Sequence, residues 1–220
     1  FSPAAWVSDM IKNGHQSFYK VKDGLRHYYN PKTGNYEKSA SGASILILDN
    51  LREKTVWKNA GSTLIDIGDG ILNLEFHTKM NTIGGEIIQG VNTAIEMAEK
   101  DFKGLVIANE GQNFSAGANL AMIFMFATDQ EFDEIDMAIR AFQNMNMRVR
   151  YSSVPVIVCP HTLSLGGGCE MTLHADKVVA SAETYIGLVE FGVGLIPGGG
   201  GSKEMALRAS DEYRDGNLDE

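Results

Sequence analysis

Seven of the 24 glycines in this 220-residue chain fall in two short runs, residues 166–168 and 198–201. Glycine loses more conformational freedom on folding than any other residue. A run of it is therefore expected where the backbone turns on the left-handed side or where another group must come close. Each run has a glutamate beside it. Glu170 closes the segment Leu165-Gly166-Gly167-Gly168-Cys169-Glu170, and Glu190 opens the stretch that leads through Ile196-Pro197 into the second run. A fold that satisfies both runs places bare backbone N–H groups and two carboxyl groups at turns.

Around these turns the hydrophobic pattern alternates between strand and helix. Ser62–Ile67 and Ile71–Phe76 flank Gly68-Asp69-Gly70 and read as a hairpin. Over Gly85–Lys100, Ile87, Ile88, Val91, Ala94, Ile95 and Ala98 fall on one helical stripe. Gly104–Ala108 and Val154–Cys159 are compact apolar strands of the kind covered on both faces, and Lys177–Ala180 is a further strand. Helices are expected from near Asn119, over Glu131–Arg150, over Gly167–His174 and from Gly200 to Arg208. This alternation gives an α/β class with a largely parallel sheet.

The first forty residues differ. Trp6, Met10 and Ile11 repeat at helical spacing, an aromatic-polar stretch runs through Tyr28-Tyr29, and Asn30-Pro31-Lys32-Thr33-Gly34 is a turn. With few aliphatics this segment cannot bury a core alone, and it reads either as the tail of a preceding domain or as an arm packed on the main body. Ser39–Ser44 is small and polar and suits a linker, and Ile45–Leu48 fits a short strand or a helix start. The expected organisation is residues 1–44 as tail and linker, 45–208 as the core, and 209–220 as a polar tail. The chain opens without an initiator Met at Phe1-Ser2-Pro3, as a piece of something longer would.

A formal net charge of −9 argues against nucleic acid as the main partner. No apolar run reaches the length of a membrane span. Cys159 and Cys169 form neither a metal-ligand spacing nor a disulfide framework, so plain buried thiols in a reducing, cytoplasmic compartment are expected. His161 and His174 have no acidic partner at ligand spacing, and Ser115 and Ser164 lack a His/Asp set for a hydrolase triad. Lys177 reads as solvated.

Two strand-to-helix turns remain. The strand ending at Ala108 passes through Phe114-Ser115-Ala116-Gly117-Ala118-Asn119 into a helix, and the strand ending at Cys159 passes through residues 160–165 into the first glycine run. Each turn alone reads as a glycine turn with a cap. Neither matches a P-loop or a dinucleotide fingerprint. If both aim an N–H at one oxygen they form an oxyanion hole. Two such donors beside two carboxyl groups suit the addition or removal of water across an activated double bond.

In order and separation, Phe114–Asn119, Leu165–Glu170 and Glu190 with Ile196–Gly201 resemble the enoyl-CoA hydratase/isomerase (crotonase) superfamily, and Met80-Asn81-Thr82 is similar to the start of its first helix. The resemblance covers about residues 60–208. It implies a crotonase-like spiral of ββα repeats, truncated at the C-terminal end. It also implies that the Ala118 and Gly167 N–H groups hold a thioester oxygen and that Glu170 and Glu190 are the catalytic acid/base pair. Ala116, Asn119, Leu120, Met122, Gly166, Pro197 and Gly198 are then expected around the substrate, with Asn119 standing where Asp is commoner. The apolar cluster Met122, Phe124, Met125 and Phe126 reads as core first and acyl pocket second. The implied reaction is hydration of a trans-2-enoyl-CoA; a double-bond isomerase and a non-catalytic acyl-CoA-binding fragment are the alternatives. No metal or redox cofactor is expected beyond the coenzyme A thioester itself. In one branch the hydratase is fused to a 3-hydroxyacyl-CoA dehydrogenase, which residues 6–36 resemble in their aromatics and order; NAD would belong to that upstream part. A trimer-based homo-oligomer is the family's usual assembly.

Overall fold

A computed structural model describes residues 3–22, 25–39 and 46–214. The chain divides into two compact units, residues 1–53 and 54–220. The division falls after Glu53 rather than at residue 44, within the 3-10 turn Leu48–Lys54, in which Leu48 and Leu51 are buried. Of the expected linker Ser39–Ser44, residues 40–44 lie outside the described residues, as does Ile45; from Leu48 onward the ambiguous segment is helical.

In the first unit, helix α1 (Ala5–Lys12) buries Met10. It is followed by an antiparallel sheet of β1 (Tyr19–Lys22), β2 (Leu25–Asn30) and β3 (Asn35–Lys38) in that order. Rings supply most of its packing. Trp6 meets Phe18 edge-on at 5.8 Å, and His15 lies 5.4 Å from Tyr29 and 5.2 Å from Tyr36. The expected turn joins β2 to β3: the Asn30 side chain accepts from Lys32 N–H at 2.9 Å, and Gly34 adopts φ +68°. The sheet itself was not foreseen.

The second unit holds the main sheet, in the order β10 (Lys177–Val178), β8 (Val156–Val158), β7 (Gly104–Ile107), β6 (Ile71–Phe76), β5 (Ser62–Gly68), β4 (Thr55–Lys58). Strands β4, β5 and β6 are antiparallel neighbours, whereas β6, β7, β8 and β10 are parallel. Glycines at φ +95° and +80° flank Asp69 at φ +56° in the predicted hairpin, which lets the backbone close tightly there. Helix α2 (Gly85–Asp101) lays Ile87, Val91, Ala94, Ile95 and Ala98 on the sheet, with Ile88 at the margin of that stripe. Helix α4 (Phe132–Arg150) adds Met145 and Val149 to the same core.

A second, two-stranded parallel sheet pairs β9 (Leu163–Leu165) with β11 (Tyr185–Gly187), and α5 (Gly167–His174) follows β9 directly. Both parallel strands are three residues long, too short for a period to show. Helix α6 (Gly201–Arg214) carries residues 209–214 as its last turns, so the expected polar tail is helical there; no Gly or Pro interrupts it before that point. Residues 215–220 lie outside the described residues. Helix α3 (Leu120–Thr128) buries none of its residues, and Phe124 is 73% exposed, so the apolar cluster is not core. No helix among the described residues is long and apolar enough to cross a membrane.

Helix α2 meets the sheet closely at Gly90, where an added Cβ would stand 2.2 Å from Ser62 Oγ and 3.0 Å from Ser62 Cβ. Ser62 is itself buried and hydrogen-bonded to Asn59. Gly90→Ala is expected to lower unfolding free energy by about 1–3 kcal/mol, measured by urea denaturation, despite alanine's better helix propensity.

Candidate active site

The first turn is held by buried polar groups. Ser115 is fully buried; its hydroxyl donates to the Asn81 carbonyl at 2.7 Å and accepts the Gly117 N–H at 3.1 Å. Asn81, at φ 51°, also donates from its side chain to the Asn113 carbonyl at 2.9 Å. Ile83 N–H donates to the Gly117 carbonyl at 2.8 Å, and Ala116 N–H to the Met80 carbonyl at 3.2 Å. Ala118, the next residue, is exposed, and its N–H is hydrogen-bonded to none of the described residues.

The second turn packs directly against the first. Ser115 N–H donates to the Leu163 carbonyl, and its own carbonyl accepts from Leu165 N–H at 2.9 Å. Gly117 sits at φ +85°, and a Cβ there would stand 2.8 Å from the Leu165 carbonyl oxygen and 3.2 Å from the Gly167 nitrogen. This close approach explains why glycine occupies position 117. It also puts the Gly167 N–H beside the segment that carries the Ala118 N–H. The Gly167 N–H starts helix α5 and likewise has no partner among the described residues.

Both glutamates reach this volume. Glu170, one turn into α5, is 2% exposed; its Oε1 accepts from the Gly199 N–H at 2.7 Å and the Gly201 N–H at 3.0 Å. Burial pushes its carboxyl up from the ordinary range; the two N–H groups oppose this, and the neighbouring Glu190 adds to it. Glu190 begins a 3-10 turn, Glu190–Val193, and its Oε1 would lie 3.2 Å from a Cβ at Gly166. Its Oε2 is buried and has no hydrogen-bond partner among the described residues. The glycine runs are thus explained by approach: Gly166 faces Glu190. At Gly199 a Cβ would come within 2.3 Å of Glu170 Oε2 and 2.1 Å of the Phe142 ring.

The other sequence-picked residues sit around this centre at varying depth. Asn119 caps α3, accepting from Met122 N–H at 3.4 Å; Leu120 is exposed, and Met122 is half-buried. Pro197 and Gly198 are half-buried, and the Gly198 carbonyl accepts from Gln143 on α4 at 2.6 Å. The Ala116 N–H is already used, as described. His161 bonds the Gly111 carbonyl at 2.8 Å, and Lys177 is exposed, as structural and solvated readings require. Cys169 is a free thiol pushed up to about 11, first by burial and then by the charges of Glu170 and Glu190. Among the described residues no group of three His, Cys, Asp or Glu could hold a metal.

Sequence reasoning missed the supports. Asn81 and Ser115 hold the first turn. Gln143, Asn146 and Arg150 lie three and four apart on α4, and that polar stripe was the available signal. Asn146 donates to the Gly199 carbonyl at 2.9 Å, and Arg150 pairs at 3.0 Å with the buried Glu204.

The chain is similar to known proteins over most of its length. A family model described as enoyl-CoA hydratase/isomerase matches residues 66–210. A Bacillus subtilis protein named as a 3-hydroxyacyl-CoA dehydrogenase is 45% identical over 204 residues, covering 92% of this chain and 26% of that protein. A Rickettsia felis protein named as a trifunctional enzyme of a fatty acid oxidation complex is 34% identical over 216 residues, with 96% of this chain and 30% of its own length covered. The chain therefore spans between a quarter and a third of these relatives. The enoyl-CoA hydratase structure from Polaromonas sp. JS666 superposes with TM-score 0.63 at 27% identity, covering 66% of this chain and 58% of that one. The hydratase from Thermoplasma volcanium GSS1 gives TM-score 0.60 at 27% identity, covering 70% and 63%. On its fold, and on a family match across more than half its length, the chain belongs to the enoyl-CoA hydratase/isomerase family, with a crotonase fold.

Proposed function

We propose that the chain catalyses reversible hydration of a trans-2-enoyl-CoA to the 3-hydroxyacyl-CoA in fatty-acid β-oxidation. The observation that carries this reading is the pairing of Glu170 and Glu190 beside Gly166–Gly167. Glu190 lies close enough to raise the cost of charging Glu170, and the unused Gly167 N–H adjoins Gly166, which faces Glu190. The thioester oxygen accepts from Ala118 and Gly167, so that negative charge developing on it is met by fixed donors. The conjugated β-carbon then becomes attackable. Glu170, with one oxygen anchored by Gly199 and Gly201, takes a proton from water as the oxygen of that water bonds to the β-carbon. Glu190, whose buried Oε2 has no partner among the described residues, serves as the acid that delivers a proton to the α-carbon.

Ala116, Asn119, Leu120, Met122, Gly166, Pro197 and Gly198 would surround the substrate, and the exposed apolar side of α3 suits the acyl chain. Coenzyme A enters as part of the substrate, with no further cofactor for this portion; NAD would serve a separate dehydrogenase part. A cytoplasmic location and a trimer-based assembly belong to the same reading.

Crotonyl-CoA hydration, followed by loss of enoyl absorbance, tests it. Glu170→Gln and Glu190→Gln are each expected to lower kcat at least a hundredfold. Retention of activity by either single variant would favour an isomerase-type site using one acid, and absence of turnover in the parent chain would favour a binding role. Because burial raises the Glu170 carboxyl, the acid limb of kcat/KM should lie above the ordinary carboxylate range, with activity falling as pH drops through it.

The same shift has a stability sign. The protonated form is favoured in the folded chain, so its contribution is present at low pH and lost as pH rises through the folded value. Glu170→Gln keeps an oxygen for Gly199 and Gly201 without the charge. It is expected to raise stability at neutral pH by the order of 1 kcal/mol, read as a higher Tm, while lowering kcat as above.

A further inference from the structure

Behind Glu170 lies a second buried carboxylate that the proposed reaction does not use. Glu204, on the first turn of α6, is fully buried, and three cations or potential cations from three helices surround it. Arg150 of α4 approaches its Oε2 at 3.0 Å; Lys203 of α6 approaches Oε1 at 2.9 Å; His174 of α5 has its Nε2 3.6 Å from Oε1. These contacts are ionic rather than aligned hydrogen bonds. Burial opposes the Glu204 charge, but Lys203, His174 and Arg150 together hold its carboxyl below the usual range. His174, pushed down mainly by burial, donates from Nδ1 to the Glu170 carbonyl at 2.7 Å, which leaves Nε2 free to accept from Lys203 at 3.5 Å.

The position of this carboxylate matters because of what lies one turn earlier. Glu204 N–H donates to the Gly200 carbonyl at 3.0 Å, closing the turn that begins with Gly201. Gly201 and Gly199 are the residues whose N–H groups hold Glu170 Oε1. Gly200, at φ +99°, lies against His174, where a Cβ would stand 3.3 Å from the ring. The turn thus wraps between Glu170 and His174. Gln143 and Asn146 hold two of its carbonyls, and the Arg150–Glu204 pair pins its far end.

We infer that Glu204 is a positioning residue for Glu170: clamped by Arg150 and Lys203 and packed against His174, it fixes the first turn of α6 so that the Gly199 and Gly201 N–H groups stay on the Glu170 carboxylate. Its catalytic consequence rests on the reading of Glu170 as the base. Such an anchor acts at the level of geometry, where a shift of about 1 Å can cost a hundredfold in rate. The other charged and titratable groups facing Glu170 are Glu190 and Cys169.

The test separates position from charge. In carbon-13-labelled chain, with the Glu170 carboxyl signal assigned by its loss in Glu170→Gln, the titration midpoint is compared between the parent, Glu204→Gln and Glu204→Met. The methionine fills the same space without charge, which guards against a variant that fails to fold. Loss of the two N–H bonds disfavours the anion, so the inference expects the Glu170 midpoint to move to higher pH in both variants. It also expects kcat/KM for crotonyl-CoA to fall roughly tenfold or more, mostly in kcat. Removing a nearby negative charge by itself moves the midpoint to lower pH. A midpoint that is unmoved, or moved downward, overturns the inference. If the parent chain fails to hydrate crotonyl-CoA, the functional reading falls, while the titration still decides whether Glu204 holds the turn.

Discussion

A carboxylate inside a protein core is tolerable only where donors replace the water it has lost, and at Glu170 those donors are two main-chain N–H groups from a different segment. Much of the unit's architecture follows from bringing that segment in. A side chain at Gly199 would strike both Glu170 and Phe142, and one at Gly201 would come within 2.8 Å of Glu170 Cγ, so the backbone must be bare there. Bare backbone is conformationally loose, and the looseness is countered from α4 by Gln143, Asn146 and Arg150 at successive helical turns. The second glycine run is therefore close backbone approach, held in place by polar side chains.

The opposite wall is built on the same plan. Asn81 occupies the left-handed region, and so does Met80 at φ 55°, a conformation that costs a non-glycine residue energy unless its surroundings fix it. Here they do. The Asn81 carbonyl, its side chain and the Met80 carbonyl all accept or donate within the Asn113–Gly117 turn. Ser115 then ties that turn to β9 through its own N–H and carbonyl. Both candidate donor groups thus hang on one buried serine.

Much of this was legible in the sequence, for reasons that differ by element. Helices α2, α4 and α5 were visible because their apolar stripes or glycine starts are long or distinctive, β5 and β6 because they flank a Gly-Asp-Gly turn, and β7 and β8 because their runs are continuously apolar. The two glutamates and the glycine runs pointed to the site because few other arrangements make consecutive glycines tolerable. The small sheet at Tyr19–Lys38 was hidden, since its packing comes from rings on a polar background rather than from alternating aliphatics. Strands β9 and β11 were too short to carry a period. Helix α3 misled in the other direction: nine residues of nearly unbroken apolar character imply burial, yet all are at least partly exposed. The Arg150–Glu204 grip was invisible because its partners lie on different helices, and in sequence each reads as an ordinary solvated charge.

Cys169 adds a point about chemical survival. A conjugated thioester is a Michael acceptor, and a thiolate beside its β-carbon would add to it and leave the protein alkylated. The Cys169 thiol adjoins Glu170 in sequence, yet burial and the two flanking carboxyl groups push it up to about 11. At neutral pH its reactive anion is then present in only on the order of one molecule in ten thousand. The same low-dielectric, doubly acidic surroundings that suit the proposed proton transfers thereby hold this buried thiol in its unreactive form.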